Sequence, residues 1–296
     1  MIAFGTIVMD PEASRRYAGP GIARTAEAGA VVHTFCAVGA VGRGYNLLLD
    51  AAKDIEDLEA FVLVHPHCEI DDPEFQATVR AALADPDVAV VGSAGAGGVR
   101  GVAWWEGDDV VMGPTVHRFV EMGGGDLPAF AWTNPRPGPA EVDAVDGYLM
   151  ALSPWAVRNL RFDEDLWIGL GWDADYCRRA REAGKKVVVA NLRTIWHRSL
   201  DLIGEPGLFS AGHQQFAEKW ETAEDTDWRA RARFAEADRE AARIQGYFRA
   251  IIGEARILDL EAELAELEAS PGWALTRPLR VLNHRRRARN GSPPSR

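Results

Sequence analysis

Cysteine is scarce in this chain: there are three among 296 residues, Cys36, Cys68 and Cys177, scattered and without Cys-x-x-Cys spacing. An odd, dispersed set argues against a disulfide framework or a structural zinc site and fits a reducing compartment. Long apolar runs are missing as well. No stretch approaches the roughly 18–20 continuous apolar residues needed to cross a bilayer. Met1-Ile2-Ala3-Phe4-Gly5 has no basic segment ahead of its apolar run, so no signal peptide is expected. Positive charge is also in deficit. Lys and Arg number 33 against 44 Asp and Glu, a formal net charge of −11, which removes bulk attraction to nucleic acid. Any anionic ligand must then be met by a local site. The expected location is cytoplasmic, or peripheral at the inner face of the cell membrane. No internal repeat is found.

What is present is ample core material, with 47% hydrophobic and 26% charged residues. Short apolar runs at Ala3 to Met9, Val31 to Cys36, Phe61 to Val64 and Asp87 to Gly92 read as strands. Between them lie helical stretches: one interrupted around Gly19-Pro20-Gly21, one over Tyr45 to Ala52, and one from Asp71-Asp72-Pro73-Glu74 to Leu83. Strands alternating with helices predict an α/β fold with a mixed, mostly parallel central sheet flanked by helices. From Gly92 to Pro139 the texture changes to glycines, tryptophans and short β-like runs, which suggests an extended excursion. The glycines at 92, 95, 97, 98 and 101 match neither a P-loop nor a dinucleotide fingerprint and read as a flexible loop. Glu141 to Leu152 reads as a strand, Trp172 to Ala183 as a helix closed by Gly184, and Lys186 to Ala190 as a strand, with His197 in the loop beyond.

Three features carry candidate chemistry. His65-Pro66-His67-Cys68-Glu69 follows the third strand, where ligands gather in parallel sheets. Two imidazoles and a carboxylate in that spacing are possible metal ligands, or simply polar residues capping a loop. Asp173 and Asp175 stand in the first turn of the late helix and do not face the same way, so their roles should differ. One is a candidate general base, the other a cap; both are also compatible with capping alone. Finally, ten tryptophans is a high count for this length. Trp104, Trp105, Trp132, Trp155, Trp167, Trp172 and Trp196 lie in or near predicted loops. Flat rings stack on sugars and bases, although any single one of them is equally at home in a core or at a rim.

The order of these pieces is more telling than any one. The polar strand end, Val145-Asp146-Gly147, Phe162-Asp163-Glu164, Asp173-Ala174-Asp175 with Cys177-Arg178-Arg179, and Trp196-His197 form a series. Across residues 1 to about 220 it resembles the GT-A glycosyltransferases of family two, especially the bacterial glycosyltransferase-like proteins of surface-polysaccharide pathways. That resemblance implies a GT-A nucleotide-diphospho-sugar transferase fold and transfer from a nucleotide-sugar donor to a glycan or lipid-linked acceptor. It implies Asp173 and Asp175 as the catalytic acids, Asp173 being the general base of an inverting reaction. It implies donor contacts from Arg43, Tyr45, Asn46, Asp146 and Gly147, and a divalent metal, Mn²⁺ or Mg²⁺, held among His65, His67, Glu69 and His197. The chain departs from the family at His67, where aspartate is usual. A neutral imidazole still binds Mn²⁺ but removes a negative charge from a site for a hard cation. In that case Arg43 or Arg193 is the alternative holder of the diphosphate. The rival readings are a metal-dependent hydrolase built on His65 and His67, and a catalytically degenerate sugar-nucleotide-binding protein.

The expected organisation is a transferase domain over 1–222, a helical extension over 223–269 and a basic, partly disordered tail over 270–296. Past residue 222 the chain turns to Ala, Glu and Arg, with Ile257, Leu260, Leu264 and Leu267 at a/d spacing over two heptads. Trp273, Leu275 and Leu279, followed by arginines, suit either an anionic bilayer surface or self-association.

Overall fold

The computed structural model describes residues 1–36, 40–119, 128–132, 138–166, 170–198 and 206–220, and, towards the C-terminus, 239, 257, 260–267, 269–270 and 273. The chain forms two compact units, Met1–Gln245 and Gly246–Arg296. The expected boundary at 222 lies outside the described residues.

The first unit is an α/β body. Strands β1 (Ile2–Val8), β2 (Val32–Cys36) and β3 (Ala60–Val64) alternate with helical segments. The first connection runs through α1 (Pro11–Ala13), a π-helical turn (Ser14–Ala18) and α2 (Gly19–Thr25). The second is α3 (Val41–Ala52), which buries Tyr45, Leu48, Leu49 and Ala52 at the spacing of a single helix face. A short strand, β4 (Cys68–Ile70), then leads through α4 (Phe75–Ala82) to β5 (Val88–Gly92). All five residues of β3 and of β5 are buried. Such unbroken apolar runs suit strands covered on both faces.

The expected excursion contains β6 (Ala94–Gly97), a 3-10 turn (Trp104–Glu106), β7 (Asp109–Met112), β8 (Thr115–Phe119) and β9 (Pro128–Trp132). One expectation is revised here: glycines 95 and 97 lie in β6 rather than in a loose loop. Trp104 and Trp105 open a 3-10 turn. The run Glu141 to Leu152 is not one strand but three: β10 (Ala140–Val142), β11 (Ala144–Val145) and β12 (Leu149–Leu152), separated at Asp143 and at Asp146-Gly147-Tyr148. After α5 (Pro154–Asn159) and α6 (Trp172–Glu182) come β13 (Lys186–Val189), β14 (Thr194–Arg198) and α7 (Pro206–Trp220). His197 thus belongs to a strand and not to a loop.

The central sheet has seven strands in the order β10-β13-β5-β12-β3-β1-β2. Strands β2, β1, β3, β5 and β13 run one way, while β12 and β10 oppose them, so the sheet is mixed and mostly parallel, as expected. The antiparallel β12 lies between β3 and β5 and brings its amino end to their carboxyl ends. A four-stranded sheet, β4-β14-β8-β9, and a three-stranded one, β11-β6-β7, complete the body.

In the second unit residues 260–267 are helical. Ile257, Leu260, Leu264 and Leu267 are about half exposed there. No helix among the described residues is long and apolar enough to cross a membrane.

Candidate active site

The site lies where β3 ends and β12 begins. The His65 amide donates to the Tyr148 carbonyl (3.0 Å), so the polar strand end and the Asp146-Gly147-Tyr148 turn share one edge of the sheet. The structure thereby brings two clusters of expected residues together.

The first cluster surrounds His67. Its amide donates to His65 Nδ1 (3.2 Å), and its own Nδ1–H donates to the His197 carbonyl (2.9 Å). The His197 amide returns a bond to the His67 carbonyl (2.9 Å), fixing β14 against the turn. His67 Nε2 is 3.4 Å from Asp10 Oδ2. Asp10 caps α1, accepting from the amides of Glu12 and Ala13 (both 3.0 Å), and these bonds hold its carboxyl below the usual range. Burial pushes the His65 imidazole down to about 3, so it is neutral at physiological pH. Trp196 touches both histidines edge-on, with ring centres 4.8 and 6.5 Å away, and stacks on Tyr148 at 4.9 Å.

Glu69 turns aside into β4. It meets His197 Nε2 at 2.8 Å and Arg24 at 2.6 Å. Burial works to raise its carboxyl, but these two bonds outweigh it and hold the group low. His197 is itself held below its ordinary value, chiefly by burial, and Tyr17 from the π-helical turn stacks on it at 3.6 Å.

The second cluster is a pair of carboxylates. Asp146 accepts from the Tyr148 amide (3.1 Å) and from the Trp104 indole N–H (2.9 Å). Asp173, at the start of α6, accepts from the amides of Gly147 (2.8 Å) and Ala174 (2.9 Å). Its side chain keeps a partial opening to solvent. Burial, together with the nearby Asp146 charge, pushes Asp173 up to about 7 despite those amide bonds. An ordinary aspartate is fully ionised at neutrality; this one is poised to exchange a proton there. Gly147 is required by the close approach of α6, since a Cβ on it would lie 2.3 Å from the Trp172 ring.

Asp175 has a different environment. It is fully buried and bonded to Arg179 Nε (2.9 Å), the Trp220 indole N–H (2.8 Å) and Lys219 (2.5 Å). Arg179 and Lys219 both reach Asp163 as well, so the network fastens α7 to α6. Asn46 also has its bonds within the protein: its amide group pairs with the Phe162 backbone on both sides and with Glu164. Tyr45 is buried against Phe162 and Trp172, and burial raises its hydroxyl. Arg43 is exposed on the first turn of α3. Arg193 is held by Asp71 and Asp72.

The histidines and Glu69 do not form a cation cage. Among the described residues no group of three His, Cys, Asp or Glu is placed to hold a metal ion. The reason is visible in the bonds: Glu69 is engaged by Arg24 and His197, and His67 Nδ1 by a carbonyl. The donor set therefore does not fit the divalent ion expected of His65, His67, Glu69 and His197, nor the metal hydrolase built on His65 and His67.

Three contributors escaped the sequence reading. Asp10 was legible as a strand-end acid after β1, but its pairing with His67 depends on β1 and β3 being neighbours. Trp104 and Tyr17 gave only a residue type; their partners, Asp146 and His197, lie far along the chain.

No family model matches the chain. It is 26% identical over 201 residues to the streptomycin biosynthesis protein StrF of Streptomyces griseus, covering 67% of each chain. Among solved structures it is similar to the mannosyltransferase PcManGT from Pyrobaculum calidifontis in complex with GDP-Man and Mn²⁺. That match has 12% identity and a TM-score of 0.47, over 93% of this chain and 82% of the other. It is also similar to A197 from STIV, with 12% identity and a TM-score of 0.41, over 65% and 83% respectively.

Proposed function

We propose that this chain is a glycosyltransferase that moves a sugar from a nucleotide-diphosphate donor to a hydroxyl of a glycan or lipid-linked acceptor, with inversion, and that Asp173 is its general base. The observation that carries this reading is the state of Asp173. Two amides fix the carboxylate at the mouth of the strand edge, and its proton affinity is raised to about 7. A base of that affinity takes the acceptor proton as attack proceeds more readily than an ordinary aspartate does. The ordered series of motifs supports the transferase class, and the relative named for streptomycin biosynthesis supports a biosynthetic role.

In this reading Asp146 orients the donor side and Arg43, exposed at the start of α3, meets the diphosphate, whose departing charge must be balanced as the glycosidic bond breaks. Tyr45 and Asn46 act one step back, by holding α3 against the 162–164 segment. Asp175 anchors α7 and is a positioning residue, while the proton moves at Asp173 Oδ.

The test is a panel of nucleotide sugars (UDP-glucose, GDP-mannose and dTDP-rhamnose) assayed for release of nucleotide diphosphate, with binding measured by calorimetry. Asp173→Asn should lower turnover at least about a hundredfold while donor affinity survives. Unchanged turnover in that variant removes Asp173 from the mechanism, and absence of binding to the whole panel removes the transferase reading.

A further inference from the structure

Among the described tryptophans, Trp105 is one that the proposed chemistry leaves unused. Trp104 and Trp105 are adjacent in the 3-10 turn, yet Trp104 is 8% exposed and Trp105 is 37% exposed. Trp104 is the inner ring, whose N–H holds Asp146. Trp105 is the outer one. It meets Trp104 edge-on (6.0 Å, 84°) and lies nearly parallel to the buried Phe209 of α7 (6.1 Å, 17°). Backed by Phe209 and 37% exposed, the Trp105 indole offers a flat apolar shelf next in the chain to the ring that holds Asp146.

The shelf is built rather than incidental. At the base of its loop Asp143 accepts from the amides of Gly98 (2.7 Å) and Val99 (3.2 Å), and Arg181 holds Asp143 at 2.6 Å. Beneath it, α7 is fastened by the Asp175 network. The same helix closes on the loop at Gly101, where a Cβ would strike the His213 ring at 2.7 Å. Trp105 is thus held at its edge by Trp104 and behind by Phe209. The loop carrying it also carries Arg100 and Asp108, which are largely exposed and pair loosely at 3.6 Å. An apolar ring flanked by charged groups suits a ligand with C–H groups on one face and hydroxyls at its edge, and a pyranose has that pattern.

We infer that Trp105, propped by Phe209, is the stacking platform of an acceptor subsite for a neutral pyranose. The subsite delivers a sugar hydroxyl towards Asp173, so it names the acceptor class for the transferase reading and rests on it. Trp105 is a specificity-determining residue: it touches the acceptor and leaves the donor untouched.

The experiment is saturation-transfer NMR on the full chain with methyl glucoside, methyl mannoside, methyl rhamnoside and maltose, with and without UDP or GDP. At least one glycoside should receive saturation on its ring C–H protons. Trp105→Ala should weaken that binding at least about fivefold, and Trp105→Phe should keep it within about twofold. Unchanged UDP or GDP affinity in Trp105→Ala shows that the variant is folded. Equal glycoside binding by Trp105→Ala overturns the platform, as does a wild-type protein that binds nucleotide diphosphate but no glycoside. Trp105-dependent binding of phosphatidylglycerol vesicles in place of glycosides also overturns it, by making the occupant a lipid. Failure of the wild type to bind any nucleotide is a separate result, which sinks the transferase reading.

Discussion

At the scale of single residues, Gly147 is where backbone geometry and chemistry meet. Its amide is one of the two donors that fix Asp173, and its missing side chain makes room for Trp172. A methyl group there would sit 2.3 Å from the Trp172 ring and 3.0 Å from the Asp173 Cβ. Neither neighbour moves freely: Trp172 is 9% exposed and packed on Tyr45 and Phe162. Gly147→Ala should therefore destabilise the protein by about 1–3 kcal/mol, the usual cost of overpacking, and should disturb Asp173 as well. Gly207 is the control. It lies in α7 with nothing within 4 Å of an added methyl, so Gly207→Ala should hold or raise stability through better helix propensity. Urea denaturation of the two variants decides; equal midpoints would mean that Trp172 can yield.

At the scale of elements, α7 is held by its last turn. Trp220 donates to Asp175, Lys219 reaches both Asp175 and Asp163, and the Arg178 guanidinium lies 4.7 Å over the Trp220 ring. Replacing Trp220 by Phe keeps most of the apolar contact but leaves one lone pair of a buried carboxylate without its donor, a cost of about 1–3 kcal/mol. Hydrogen exchange should show that loss as reduced protection along α7, with the central strands β3 and β5 unaffected. Uniform loss across the sheet would mean that α7 and the sheet open together. Little of this latch was legible in the sequence. Asp175 stood out as an acid in a first helical turn, but its partners on α7 are some 45 residues away. By contrast, the unbroken apolar runs of β3 and β5 announced themselves, because a strand covered on both faces needs no partner to be recognised. The stretch from Glu141 to Leu152 shows the limit of that signal. Its apolar content was plain, yet Asp143 and the Asp146-Gly147-Tyr148 turn divide it, and the reversal of β12 is a matter of which strands it lies between.

Over the whole molecule, two part-buried groups at one sheet edge make opposite demands on pH. Asp173 rises from 3.8 to about 7 on folding, so the native state holds a proton there that the unfolded chain releases above 3.8. Its contribution is full below 3.8 and declines as pH rises towards 7. His65 falls from 6.5 to about 3, so the unfolded chain takes up a proton that the native state refuses. That contribution is full above 6.5 and declines as pH drops towards 3. Between about pH 4 and 6.5 the two slopes, each up to about 1.4 kcal/mol per pH unit, have opposite signs and should largely cancel. His197, held low by burial as well, adds to the His65 slope, so the wild-type profile should be shallow across that window, with a small net loss on acidification. Removing one partner uncovers the other. Asp173→Asn should lose stability steeply on acidification from pH 6.5 to 4, because Asp173 no longer offsets His65 and His197. His65→Gln should shift the other way, towards gaining stability over the same interval, because His65 no longer opposes Asp173. Neither shift can be read from residue type, since both come from burial at a strand end that exists only once β3 and β12 are paired. Urea titrations of the three proteins at pH 4, 5.5 and 7 measure the slopes directly. Parallel profiles for all three would show that these two groups do not govern proton uptake, and would take away the raised affinity that makes Asp173 the proposed base.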